Sequence, residues 1–253
     1  VDLDDPAVNL DRFPSLKNMT SYAHSVGLTS GWYGNNCICS DRKTDERKFY
    51  EGDVKAMRDK TGAFGGSPNQ IRNGYRRNIH MVVKSLYNLE VPLISAVNGA
   101  AIGLGCDVAC MADVRIASDK AKFGVTFLKL GIIPGDGGTW ILPRIIGEAR
   151  AAELFYTGDV IDAATARDWG LVSRVVEGEA LMSEAQALAA KIAAMPPHAL
   201  RHAKNLMRQG RSMSYDSALE LAANTQAMMH LTDDHMEGVD ALLEKRAPVF
   251  KGT

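Results

Sequence analysis

Two glycine-rich turns in this chain each carry one carboxylate, and such turns could hold and reprotonate an enolate. The first lies in Val91–Asp107, VPLISAVNGAAIGLGCD. An apolar, strand-like run breaks at Gly103-Leu104-Gly105, and a helix-like segment follows with Asp107 one turn in. A turn of this kind presents free backbone N–H groups at a helix start, with an acid beside them. The second is Gly131–Thr139, GIIPGDGGT, with Asp136 in its middle. Each carboxylate also has a plain structural reading. Asp beside Gly-Gly is ordinary turn chemistry, and an acid in a first helical turn favours the helix dipole.

The elements that must position these turns can be read from periodicity. Residues 70–89 form a helical stripe through Ile71, Tyr75, Ile79, Val82, Val83 and Leu86. Short apolar runs then alternate with turns and helices: VPLISAV, DVRIAS and Phe123–Val125. That alternation predicts an α/β arrangement with largely parallel strands. Thr139–Ile146 and Ala149–Tyr156 read as helices, and Ala163–Gly170 as a short helix closed by Gly170 before the strand LVSRVV. From Leu181 onward the character changes to successive helical patterns: SEAQALAAKIAAM, ALRHAKNLMRQG, SALELAANTQAMMH and HMEGVDALLEKR. The expected organisation is an α/β core over 1–180 and a helical region over 181–253, which covers its own core or a neighbouring subunit.

Composition bounds the function classes. A chain of 253 residues with 46% hydrophobic and 23% charged content can bury a sizeable core. A net charge of −1 supplies no basic field for nucleic acid or an anionic membrane. No apolar run approaches the roughly 18 residues a membrane span requires. Val1 is not followed by a charged n-region and an apolar h-region, so a cytoplasmic location is expected.

The cysteines and histidines predict no metal centre. Cys106 and Cys110 stand one helical turn apart without further ligands nearby, which reads as a pair of small buried thiols. Cys37 and Cys39 form an isolated CxC, and the usage fits a reducing compartment. None of the six histidines belongs to an HExxH; His198 and His202 share a helix face and read as solvated polar positions. A dinucleotide site is excluded as well. Gly103-Leu104-Gly105 begins a GxGxxG, but its sixth position is Val108.

From about Gly52 to Lys251 the chain resembles the enoyl-CoA hydratase/isomerase family, the crotonases. The pieces that carry the resemblance are GDVKAM (Gly52–Met57), VPLISAVNGAAIGLGCDVACMADVRIAS (Val91–Ser118) and KFGV (Lys122–Val125). They continue with LGIIPGDGGTWILPRIIG (Leu130–Gly147), YTGDVIDAATARDWGLVSRVV (Tyr156–Val176) and EGVDALLEKRAPVF (Glu237–Phe250). The resemblance implies a spiral of ββα turns and a C-terminal helical trimerisation region. It further implies a homotrimer or dimer of trimers and acyl-CoA substrates, with coenzyme A as the carrier part of the substrate and no separate cofactor.

Residue by residue, the resemblance implies a thioester oxygen held by the N–H groups of Gly52 and Leu104. The first of the family's two catalytic glutamates falls on Asp107, and the second on Phe127, which cannot move a proton. Asp136 lies where members lacking one glutamate place a catalytic aspartate. Lys55 and Lys245 match positions that grip coenzyme A. The implied activity is hydration or double-bond isomerisation of an enoyl-CoA in fatty-acid or aromatic-acid degradation. The alternative is a catalytically degenerate member that binds acyl-CoA without turnover. If Asp107 and Asp136 face one apolar pocket from which Phe127 excludes water, both acids should titrate above their ordinary range.

Overall fold

The computed structural model describes residues 65–253. It opens with α1 (Pro68–Arg77), started by a capping box in which Ser67 and Gln70 satisfy each other's backbone N–H groups. The stripe expected as one helix over 70–89 is two helices, because Asn78 leaves the helical region (φ −116°, ψ −80°) before α2 (Ile79–Tyr87) begins. The break has a packing reason. No residue of α1 is buried, whereas Ile79 and Val83 of α2 reach the core, so the two helices face different surroundings.

Two three-stranded sheets follow, and the chain visits them in turn. β1 (Ile94–Val97), β3 (Val114–Ser118) and β6 (Arg174–Val176) form one sheet, parallel throughout. β2 (Ala100–Ile102), β4 (Lys122–Gly124) and β5 (Val160–Asp162) form the other. β2 and β4 run parallel, while β5 returns antiparallel to β4. Each β1–β2 or β3–β4 step therefore adds one strand to each sheet, and α3 (Leu104–Met111) links the first step to the second. That is the expected ββα spiral.

After β4 come a 3₁₀ turn (Phe127–Leu130), α4 (Gly138–Ile141), α5 (Pro143–Ile146) and α6 (Glu148–Thr157). The helix expected over Thr139–Ile146 begins one residue earlier and divides at Pro143, which has no N–H to continue the ladder. α7 (Ala163–Asp168) ends before Gly170, whose φ of +78° turns the chain toward β6. The core lies between the sheets and these helices. Phe123, Val125, Leu142, Leu154 and Leu171 fill it, and Cys106 and Cys110 are buried within it.

The helical region is α8 (Leu181–Ala193), α9 (Pro197–Gln209), α10 (Tyr215–Met229) and α11 (Asp233–Glu244). α8 lies on the first sheet, with Leu181 and Ala185 packed on Ile116. α9 is tied to the sheet by charge: the Asp113 carboxylate accepts from Lys204 Nζ (2.7 Å), Arg208 Nη2 (2.6 Å) and the Leu93 N–H (2.7 Å). Lys204 also donates to Val91 O at 2.6 Å, and the Arg208 guanidinium lies 3.9 Å from the Tyr87 ring centroid. Burial pushes the Asp113 carboxyl up, but Lys204, the Leu93 N–H and Arg208 together hold it below its ordinary range. Asp113→Ala leaves the buried Lys204 without its counter-ion. We expect a loss of about 3 kcal/mol in chemical denaturation; an unchanged midpoint would show the network to be energetically idle.

His198, expected to be solvated, is half-buried. The chain after α11 folds back along α9, where Asp234 accepts from the N–H groups of Lys251 and Gly252 (2.7 and 2.9 Å), and His198 Nε2 donates to Gly252 O at 2.8 Å. Among the described residues, no helix is long and apolar enough to cross a membrane.

Candidate active site

β2 delivers the chain to Gly103, whose N–H donates to Gly124 O across the sheet at 2.8 Å. Gly103 then adopts φ +57°, ψ −124°, a conformation an L side chain rarely takes, and α3 begins at once. Among the described residues nothing would meet a Cβ at Gly105. The Leu104 N–H, first in the helix, has no hydrogen-bond acceptor among the described residues. Among the described residues it is thus an unpaired donor at the positive end of a helix.

Asp107 follows in the first turn of α3 and is 1% exposed. Its carboxyl rests on Gly138, where a Cβ would collide with both oxygens. Burial pushes its pKa well above the ordinary carboxylate range; the neighbouring Cys110 sulfur and Asp136 carboxylate add to that, and the Gly138 N–H opposes it. That N–H does not reach hydrogen-bonding geometry, since both Asp107 oxygens are without a partner.

The second turn starts from the 3₁₀ segment, closed by Gly131 at φ +70°, and ends at Gly137, whose φ of +102° opens α4. Asp136 between them is also 1% exposed, with Oδ2 unpartnered. Burial raises its pKa to about 6, against an opposing pull from His80. Two carboxyls from separate turns thus lie close enough to feel each other's charge, each buried and incompletely hydrogen-bonded. Buried polar groups left unpaired are uncommon in folded proteins and need a reason. Phe127 walls this site, its ring 3.6 Å from where a Gly103 Cβ would stand.

Two neighbours of Asp136 come from the first helices. Tyr75 lies over the second turn: a Cβ at Gly135 would come within 3.0 Å of its ring. Burial and the Asp136 charge both raise its hydroxyl pKa. His80 Nε2 lies 2.9 Å from Gly135 O, and the two rings meet edge to face at 6.1 Å. Sequence reading saw Tyr75 only as a stripe residue and gave His80 no role. On an unbroken helix the two would stand about 140° apart; the break at Asn78 is what brings them together.

The remaining expected site residues are not joined to this cluster. Gly52 and Lys55 lie outside the described residues. Lys245 is exposed at the end of α11, in the left-handed region (φ 56°), and forms no ion pair with either carboxylate. Among the described residues, no group of three or more His, Cys, Asp or Glu side chains could hold a metal ion.

The sequence pattern of enoyl-CoA hydratases/isomerases matches residues 58–253. The chain belongs to that family. Relatives of this hydratase/isomerase-family chain include 1,2-epoxyphenylacetyl-CoA isomerase of Escherichia coli, 40% identical over 171 residues, covering 68% of this chain and 65% of that protein. A probable enoyl-CoA hydratase of Mycobacterium leprae is 45% identical over 166 residues, 64% of this chain and 63% of that protein. The chain thus spans just under two thirds of the length of both. An enoyl-CoA hydratase structure from Bacillus anthracis superimposes with a TM-score of 0.72 at 38% identity, covering 76% of this chain and 74% of that one. The family chain shares the crotonase fold with such structures. Gly52 and Lys55 precede the matched range.

Proposed function

We infer that the protein is an acyl-CoA enzyme that stabilises a thioester enolate and shifts or hydrates the double bond of an enoyl-CoA. One observation carries this reading: two buried, incompletely partnered carboxyls beside a helix start whose first N–H has no acceptor among the described residues. Relatives named for isomerisation and for hydration stand at similar identity, which supports both branches.

In this reading the Leu104 N–H donates to the thioester oxygen, with Gly52 supplying the second donor that the resemblance implies. A donor of this kind is typically worth roughly 3 kcal/mol of barrier. Asp136, ionised, takes a proton from the carbon beside the thioester; the resulting dienolate keeps its charge on the held oxygen. Returning the proton two carbons away completes an isomerisation without water. In hydration Asp136 would instead draw a proton from water as it adds, while neutral Asp107 protonates the carbon next to the thioester. Phe127, unable to carry a proton where the resemblance puts a second glutamate, favours the shuttle. Opposite protonation states in a close pair suit both routes.

The test is spectrophotometric, with crotonyl-CoA, a 3-enoyl-CoA and a 2,3-dienoyl-CoA as separate substrates. No change with any of them would leave only the reading of a degenerate acyl-CoA-binding protein. The pH profile gives a second check. A base must be ionised, so kcat/KM should rise as pH climbs through about 6. It should fall again where Asp107 loses its proton, and a profile flat from acid to mildly alkaline pH contradicts the assignment.

Lys55 and Lys245 are proposed to grip coenzyme A, and residues 1–180 and 181–253 to act as core and assembly region. Tyr215, Leu231, Leu242 and Leu243 on or beside α10 and α11 are each at least 75% exposed, which supports association into a trimer or a pair of trimers. Sedimentation as a monomer at micromolar concentration would exclude it.

A further inference from the structure

The geometry points to His80 as a positioning residue for Asp136: its imidazole clamps the Gly135 carbonyl and thereby aims the neighbouring carboxyl into the site. The inference rests on the reading of Asp136 as the group that moves the proton. A carbonyl oxygen only accepts, so the 2.9 Å contact requires the hydrogen on Nε2. That places a hydrogen on Nε2 whatever the charge of the ring.

The clamp acts on a glycine-rich segment. Gly135, Gly137 and Gly138 surround Asp136, so between Thr139 and the buried Pro134 the turn has no other side chain of its own to anchor it, although the Gly137 and Gly138 carbonyls accept the first hydrogen bonds of α4. Tyr75 completes the grip by covering Gly135, and its ring meets the imidazole edge to face. Backbone flexibility at three glycines would otherwise let the carboxyl swing, and misplacement of about 1 Å can cost roughly a hundredfold in rate.

The same placement makes His80 an electrostatic partner. It is the neighbour whose charge opposes the effect of burial on Asp136. The other groups facing this cluster are Tyr75 from α1, which responds to Asp136, and Asp107 from α3, whose charge state is coupled to Asp136. Arg76 and Arg77, at the end of α1, are exposed. An imidazolium at position 80 therefore favours the ionised Asp136, and a neutral ring releases it.

Two substitutions separate clamp from charge. In His80→Gln the side-chain amide nitrogen can occupy the Nε2 position and keep the donor, but cannot carry charge. In His80→Phe the ring remains and the donor is lost. For His80→Gln we expect kcat to fall about threefold and the rising limb of the pH profile to move up by about half a pH unit or more. For His80→Phe we expect kcat to fall at least about tenfold with KM little changed. Titration of the ¹³C-labelled Asp136 carboxyl, assigned by its absence in Asp136→Asn, reads the same shift without turnover. An Asp136 midpoint that stays where it is in His80→Gln overturns the inference; so does a His80→Phe variant with parental kcat. Should His80→Phe fail to fold, His80→Leu, which also lacks the donor, is read in its place by the same kcat criterion. Should the parent turn over no enoyl-CoA while the carboxyl midpoint still moves, the proposed function fails and the electrostatic pairing of His80 with Asp136 stands.

Discussion

Asp136→Asn is expected to lower kcat by roughly 10²- to 10⁴-fold and, at neutral pH, to make the protein more stable. The loss follows from removing a positioned acid–base group. The gain follows from linkage. The Asp136 carboxyl titrates near 6 in the folded protein against an ordinary value of 3.8, so the native state holds a proton that the unfolded chain has already released. Its folded pKa is raised, and stability therefore declines as pH rises from about 4 to about 6, with the full penalty present above that window. A difference of this size corresponds to roughly 3 kcal/mol. Asparagine carries no charge to desolvate, so thermal unfolding at pH 7 to 8 should show a higher Tm in the variant. The advantage should shrink toward pH 4. A structural aspartate would behave in the opposite sense, and a variant both active and less stable would place Asp136 in that class. Gains in stability on removing a catalytic group are a known mark of sites strained for function.

Gly138→Ala is the second large effect, and it acts through Asp107. The added methyl collides with both Asp107 carboxyl oxygens in a site where both residues are buried. Overpacking of this kind typically costs 1–3 kcal/mol, on the order of a well-packed core insertion. Turnover should fall about a hundredfold, because the acid is displaced from the developing enolate. The double variant Gly138→Ala with Asp107→Ala makes the cause checkable. Removing the carboxyl vacates the space the methyl needs, so the two losses in stability should fall well short of additivity. Additive denaturation midpoints would mean that the methyl strains the start of α4 instead. Activity should stay lost in the double variant, since the acid itself is gone.

The four C-terminal helices and the alternation of strands with helices were legible because each depends on local periodicity. The two glycine turns were legible for a similar reason: Gly103 and Gly137 stand where the backbone needs positive φ, and that need is written in residue type. The helix boundary at Asn78 was not legible, since asparagine is tolerated within a helix and the apolar stripe runs straight through it. His198 was misjudged because its partner, Gly252 O, is supplied by a distant part of the chain.

Val91–Asp107 and Gly131–Thr139 by themselves determined two turns, two acids and one exposed helix start. Tertiary structure alone decided that Asp107 lies within reach of the Asp136 charge, that Asp107 lies on Gly138, and that Tyr75 and His80 close over Gly135. The reason is desolvation. A carboxylate's pKa depends on what removes water and what charge lies near, and both come from segments far away in sequence. Spacing can nominate an acid, but only the packing around it makes that acid able to hold a proton at neutral pH.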